Sequence, residues 1–388
     1  MWRKAGLGLA ALLVLGIGGF FALGPRLAEE ANNRVRPHAP WAVSAEAAAL
    51  HARLFVADMH ADSLLWDRDL LERADYGHVD FPRLQEGNVG LQIFTAVTKV
   101  PAGQNYESND AGARDQLSPL MLAQLWPPRS WTSPFQRARH QARRLAAFAA
   151  SAPDVVMPLR SRADLARLTA RRAEGAPLVG ALLGMEGAHA LEGSLENLDA
   201  LYRDGYRLVG LQHFFDNEVG GSLHGQSGAG LTPFGRVLVQ ELERRGMVID
   251  LAHASPAVAR DTLALTDVPL VVSHTGIHSH CPHPRNFDDD LMVAIAASGG
   301  VIGIGFWSDV ICDDSPDGIA AAIGAAIDLL GAEHVALGSD YDGSVTTTLD
   351  ASELAALTDA LLRAGRSEEE IALVMGGNLL RVLGEVLP

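Results

Sequence analysis

The sequence predicts an α/β protein built as a (β/α)8 TIM barrel, preceded by one N-terminal transmembrane helix. Three observations predict it. Eight short apolar, β-type runs lie between residues 54 and 337. Helical patterns separate them, an alternation that gives a parallel sheet with helices outside it. Six of the eight runs end in His, Glu or Asp, and in this barrel the active site sits at the C-terminal ends of the strands.

The first segment reads as a membrane signal. Arg3 and Lys4 precede an uncharged run from Ala5 to Gly24. About twenty helical residues span about 30 Å, the thickness of the hydrocarbon core of a bilayer. Ala22-Leu-Gly24 has the small-residue spacing of a secretory cleavage site, but Pro25 would follow the cut. A retained anchor is therefore expected over residues 1–24 in preference to a cleaved signal. The positive flank keeps the N-terminus cytoplasmic, which places the rest of the chain in the periplasm or outside the cell. Residues 25–45 contain Pro25, Pro37 and Pro40 without periodicity and read as a linker. Residues 46–388 then form the barrel domain.

The expected strands are Leu54–Ala57, Val89–Val97, Leu178–Leu183, Arg207–Leu211, Met247–Leu251, Leu270–Val272, Gly300–Phe306 and His334–Leu337. Between them, residues 136–150, 288–297 and 317–330 carry helical spacing. So does the stretch after Thr232, with Thr232 as N-cap, Pro233 in the first turn and Gly246 as terminator. The long stretch from Pro101 to Arg172 exceeds a minimal barrel and is expected to be an extended loop with helices over the active-site mouth.

The strand ends carry the chemistry. The first gives His60 and Asp62, two apart and so on one face of an extended backbone. The third gives Glu186, the fourth His213, the fifth His253, the sixth His274 and the eighth Asp340. A lone histidine after an apolar run is more often a hydrogen-bonded loop residue. Six such ends on one face of a barrel point to a metal centre.

His60, Asp62, His253 and His274 are too many ligands for one tetrahedral zinc with an open position, and suit two zinc ions per chain. Such pairs need a bridge, often a carboxylated lysine. Lysine occurs only at Lys4 and Lys99, so Glu186 is the expected bridge. Asp340 is then free to carry protons. Asp342 is the rival, and Asp340 is preferred because it lies nearer the strand end. His213 could donate to a developing oxyanion. Arg285, in a Pro-rich loop, suits a substrate carboxylate through its planar fork; a structural salt bridge is the alternative. His278, His280 and His283 crowd the same loop and could form an accessory metal site, with loop decoration the preferred reading; His189 and His224 read the same way.

The composition bounds the partners. The chain has 388 residues, is 48% apolar and 20% charged, and has a formal charge of −16. That balance argues against nucleic acid, whose phosphates need clustered Lys and Arg. An exported location permits a disulfide between the only cysteines, Cys281 and Cys312, although nothing in the sequence brings them together.

Taken in order, these motifs resemble the membrane (renal-type) dipeptidase family of zinc peptidases. They are Asp58-Met-His60-Ala-Asp62, Met185-Glu186-Gly187, Gln212-His213-Phe-Phe-Asp-Asn217, Ile249-Asp-Leu-Ala-His253, Ser273-His274, Pro284-Arg285-Asn286, Gly338-Ser-Asp340-Tyr-Asp342-Gly343 and Gly377-Asn378-Leu-Leu-Arg381. The resemblance implies a barrel metallohydrolase with His60 and Asp62 on one zinc, His253 and His274 on the other, and Glu186 bridging. It implies hydrolysis of dipeptides, often with tolerance of a D-residue at the second position, by a hydroxide shared between the ions. His213 and Arg285 would bind the substrate, Asp340 would handle the proton, and a homodimer is expected. Two departures stand out. Family members often carry a tyrosine after the seventh strand, where this chain reads Gly305-Phe306-Trp307. The animal enzymes use a C-terminal lipid anchor, whereas this chain is expected to be held from its N-terminus.

Two other readings share these residues. A lactonase or phosphotriesterase-like barrel hydrolase would use the same metals without needing Arg285. A catalytically silent peptide-binding relative would be expected to lack a ligand, and none is missing. Asp58 is expected to orient a metal ligand.

Overall fold

The computed structural model describes the backbone of residues 2–388, with side chains from Gly16 onward except Ile17. Eight parallel strands close into a barrel: β1 (Val56–Ala61), β2 (Val89–Val97), β3 (Val179–Glu186), β4 (Tyr206–Gly210), β5 (Val248–Asp250), β6 (Val271–Thr275), β7 (Val301–Ile304) and β8 (Val335–Leu337). All eight expected strands are present. Closure is made by β2 and β3, in register from Leu91 opposite Gly180 to Val97 opposite Glu186, and by β8 beside β1. A short strand that the sequence reading missed, Val156–Leu159, pairs with the first half of β3.

Neighbouring residues on the strands join different apolar clusters. Ile93, Leu208, Val248, Val271 and Val301 meet Leu379, Val382 and Leu383 of the last helix. Phe94, Val209, Ile249, Val272 and Ile302 pack in the larger cluster. This period of two, with both faces covered, is what a parallel barrel strand requires.

The expected helices form at Pro134–Ser151, Pro233–Arg245, Asp289–Ala297 and Pro316–Leu330. Thr232 accepts from the Gly235 amide, and Gly246 ends its helix at φ 66°. The stretch from Pro101 divides in two. Residues near Gly103–Leu120 line the cleft at the strand ends, whereas Pro134–Ser151 and Arg162–Ala173 are ordinary outer helices.

The N-terminal helix runs from Trp2 through Pro25 to Asn32. The anchor expected over residues 1–24 falls largely on side chains outside the described ones. Among the described residues no helix is long and apolar enough to cross a membrane. The segment expected to be a linker begins as the docked end of this helix. After it, Arg34 and Val35 pair in parallel with Thr346 and Thr347. Cys281 and Cys312 form a disulfide that ties the loop after β6 to the loop after β7. Sequence separation alone gave no reason to pair them; the barrel brings the two loops side by side.

Candidate metal centre

The seven residues from the six strand ends converge at one end of the barrel, all buried. Glu186 Oε1 lies 3.5 Å from His60 Nε2, 3.2 Å from His253 Nε2 and 3.5 Å from His274 Nε2. His60 Nε2 is 3.5 Å from Asp62 Oδ1 and 3.8 Å from Asp340 Oδ1. His213 Nε2 stands 3.4 Å from Glu186 Oε2. Donor atoms of His60, Asp62, Glu186, His213, His253, His274 and Asp340 form overlapping groups within 4.8 Å of one another.

This donor set fits metal ions. His60 Nε2 is buried without a hydrogen-bond partner. The Nε2 atoms of His253 and His274 face each other at 3.0 Å, a contact between two lone pairs unless a cation or proton lies between them. Burial, reinforced by Asp62, raises Glu186 well above the usual carboxylate range. Burial pushes Asp340 up to about 8 against the pull of His60. Burial opposes a charge on His60, yet Asp62, Glu186 and Asp340 push it up to about 10. Three carboxylates in so small a volume require positive charge, and divalent cations supply it.

Local hydrogen bonds aim the ligands. The Ser273 hydroxyl lies 3.1 Å from His60 Nδ1 and 2.8 Å from His274 Nδ1. A hydroxyl oxygen has two lone pairs, so it can accept from both rings and leave both Nε2 atoms free to bind metal. Thr95 Oγ1 donates to Asp62 Oδ1 at 2.6 Å. Asp58 acts differently from expectation. It accepts from Gln92 Nε2 and from the Ser339 amide and hydroxyl. It thus fixes the backbone next to Asp340 and touches no ligand side chain. Ser273, Thr95 and Ser339 were missed by the sequence reading, although Ser273 and Ser339 each immediately precede a site residue.

The β8 loop separates the two rival aspartates. Asp342 is fully buried and accepts from Arg68, from Ser63 Oγ at 2.6 Å and from the His78 amide at 2.7 Å. Burial opposes its charge, but Arg68 and His78 hold it well below the usual range. Asp340 keeps its carboxylate in the cleft. A Cβ at Gly343 would come within 2.2 Å of Asp340 Oδ1, so the turn needs glycine there. Asp340 and His253 themselves adopt φ 60° and 63°, a conformation that persists only where surrounding structure enforces it.

A cavity of about 520 Å³ opens above the cluster. Arg285 lines it, buried, with Nη2 donating to the His274 carbonyl at 2.6 Å and lying 3.4 Å from His253 Nε2. No carboxylate of the protein pairs with it at ion-pair distance among the described residues. Asn286 braces the loop by donating to the carbonyls of Cys281 and Val310, both at 2.9 Å. His213 Nδ1 faces the Lys99 carbonyl at 3.2 Å. Burial pulls this ring down to about 4.

Where the family tyrosine would stand, Trp307 Nε1 donates to Tyr106 Oη at 3.2 Å. Tyr106 comes from the long loop after β2 and lines the cavity. Sequence gave no signal for it, because its position depends on how that loop folds. His224 and His283 pack on Tyr106, whereas His189 bonds Thr98 at 2.9 Å.

Comparison with known proteins agrees with this geometry. The Membrane dipeptidase family (Peptidase family M19) matches residues 44–387. Dipeptidase aclJ of Aspergillus oryzae is 31% identical over 359 residues, covering 86% of this chain and 78% of that protein. A metallo peptidase from Rhodobacter sphaeroides, solved with a phosphinate mimic of the dipeptide L-Ala-D-Ala, has a TM-score of 0.68 at 25% identity, covering 86% of this chain and 99% of that one. The probable dipeptidase PvdM from Pseudomonas aeruginosa shares the fold, with a TM-score of 0.72 at 20% identity over 88% of this chain and 98% of its own. The chain belongs to the membrane dipeptidase family, Peptidase family M19, and is a metal-dependent dipeptidase by that membership.

Proposed function

We propose that the protein hydrolyses dipeptides with two zinc ions, His60 and Asp62 holding one, His253 and His274 the other, and Glu186 joining them. The observation that carries this reading is the position of Glu186 Oε1, within 3.5 Å of three imidazole nitrogens drawn from β1, β6 and the loop after β5. When bound, the ions supply an acidified water and polarise the scissile carbonyl.

The chain's own residues supply the rest. Arg285, with no carboxylate at ion-pair distance among the described residues, takes the substrate's carboxylate and fixes the peptide in the cleft. Asp340 receives the proton of the attacking water and passes it to the leaving amine. His213 faces the carbonyl oxygen's side of the site. It donates there only with Nε2 protonated, a state that Glu186 Oε2 at 3.4 Å favours and burial opposes.

The test is bound zinc measured together with hydrolysis of a dipeptide panel that includes D-residues at the second position. Chelation should abolish turnover and zinc restore it. Full activity in a metal-free Glu186→Ala protein overturns the reading. Faster turnover of lactones or phosphotriesters than of any dipeptide would favour the other barrel hydrolases. The anchor at residues 1–24, an exported catalytic domain and a homodimer complete the proposal. The first two rest on the uncharged run Ala5–Gly24 behind Arg3 and Lys4, and the dimer rests on the family resemblance.

A further inference from the structure

The end of the N-terminal helix is built into the substrate cleft. Ala28 and Asn32 line the cavity together with Asp62, Glu186, Arg285 and Asp340. Ala28 packs beside Leu65, Trp66, Val97 and Leu117, at the ends of β1 and β2 and in the loop above them. Glu29 is 1% exposed and accepts from Arg68 Nε. Arg68 in turn donates through Nη2 to Asp342, two residues from Asp340. The next turn continues the attachment. Asn33 Oδ1 accepts from the Ser344 amide at 2.9 Å, and the Arg34 amide donates to the Val345 carbonyl at 3.2 Å. The family match covers residues 44–387, and this wall precedes it.

The helix end stands on the side of β1, β2 and β8. Arg285 reaches the cleft from the opposite side, against His253 after β5 and His274 at the end of β6. A dipeptide whose carboxylate is held by Arg285 therefore extends its amino-terminal residue toward Asp340 and the helix.

We propose that Ala28 and Asn32, on the end of the N-terminal helix, act as a wall of the substrate cleft that limits the size of the amino-terminal residue of a dipeptide, with Glu29 positioning the Asp340 loop through Arg68 and Asp342. This rests on the dipeptidase reading. Ala28 and Asn32 set the space, and Glu29 is a positioning residue that does not itself touch substrate. Without Glu29, the buried Arg68 guanidinium keeps Asp342 as its one ion-pair partner among the described residues, and the loop loses part of its fixed support.

The experiment uses the full-length, zinc-loaded protein. Ala28→Phe fills the wall at a half-buried site. The ratio of kcat/KM for Gly-X over Leu-X dipeptides should rise about tenfold or more, since cavities that lose such volume discriminate by roughly that factor. The same substitution should leave the ratio for X-Gly over X-Leu flat. In Glu29→Gln, kcat should fall about tenfold to a hundredfold with bound zinc and KM for a free-carboxylate dipeptide little changed. Glu30→Gln, one residue along and paired with Arg26, should match the parent. An active parent whose Ala28→Phe form shows flat selectivity, or selectivity following the carboxyl-terminal residue, overturns the wall alone. Equal effects of Glu29→Gln and Glu30→Gln overturn the positioning role. A parent that hydrolyses no dipeptide overturns the functional reading and the wall's substrate with it.

Discussion

The Ser273 hydroxyl lies 2.8 Å from Nδ1 of His274. The two residues are adjacent on β6, where side chains would ordinarily point to opposite faces. The strand ends here, and its register with β7 shifts between Val272 and Thr275, which lets both groups face the cluster. The same oxygen also reaches His60 on β1. One hydroxyl therefore sets the tautomer of one expected ligand for each zinc ion.

Ser273→Ala should lower metal affinity about 10- to 100-fold, the usual cost of losing a group that orients a ligand. Competition with a chelator of known affinity measures it. Unchanged affinity would mean that the imidazoles are held by packing alone.

Asp340→Asn should keep both metal ions while kcat falls about 10²- to 10⁴-fold, the range for loss of a positioned acid or base. Metal content and kcat are measured on the same sample. Loss of one ion would make Asp340 a ligand, a role for which its place 3.8 Å from His60 Nε2 leaves room.

Arg285→Lys keeps the charge but removes the fork. It should raise KM for dipeptides with a free carboxylate about 10-fold or more, corresponding to the loss of a hydrogen bond to a charged group. Amidated dipeptides should be affected much less. Equal effects on both substrates would show that Arg285 serves mainly to hold the His274 carbonyl.

Away from the metal centre, His51 gives the fold a pH dependence. Its ring is buried between Thr358 Oγ1 at 2.8 Å and the Gly87 carbonyl at 3.0 Å, and burial lowers its pKa. Below about pH 6.5 the unfolded chain then binds a proton that the folded chain refuses. Stability should be flat above that pH and fall below it by up to about 1.4 kcal/mol per pH unit from this group. Urea unfolding at several pH values, compared with His51→Gln, isolates the contribution. A variant that shows the same acid slope as the parent would rule His51 out.

The sequence by itself determined the barrel and the residues at its strand ends. Eight apolar runs of strand length, separated by capped helices, allow few other arrangements, and a barrel collects its strand ends at one mouth. Glu186 could be named as the meeting point because lysine is almost absent. Other features depended on tertiary structure. The pairing of Cys281 with Cys312, the Ser273 hydroxyl shared by two imidazoles, and Tyr106 meeting Trp307 each join segments from different loops or strands, whose distance no local pattern encodes. In the sequence Asp340 is preferred to Asp342 only for lying nearer the strand end; the fold adds the physical distinction by bringing Arg68, Ser63 and His78 around Asp342. The proline-containing segment after Gly24 had the look of a linker. Glu29 and Asn33 find their partners only in the folded barrel, at Arg68 and Ser344, and those contacts make it part of the cleft.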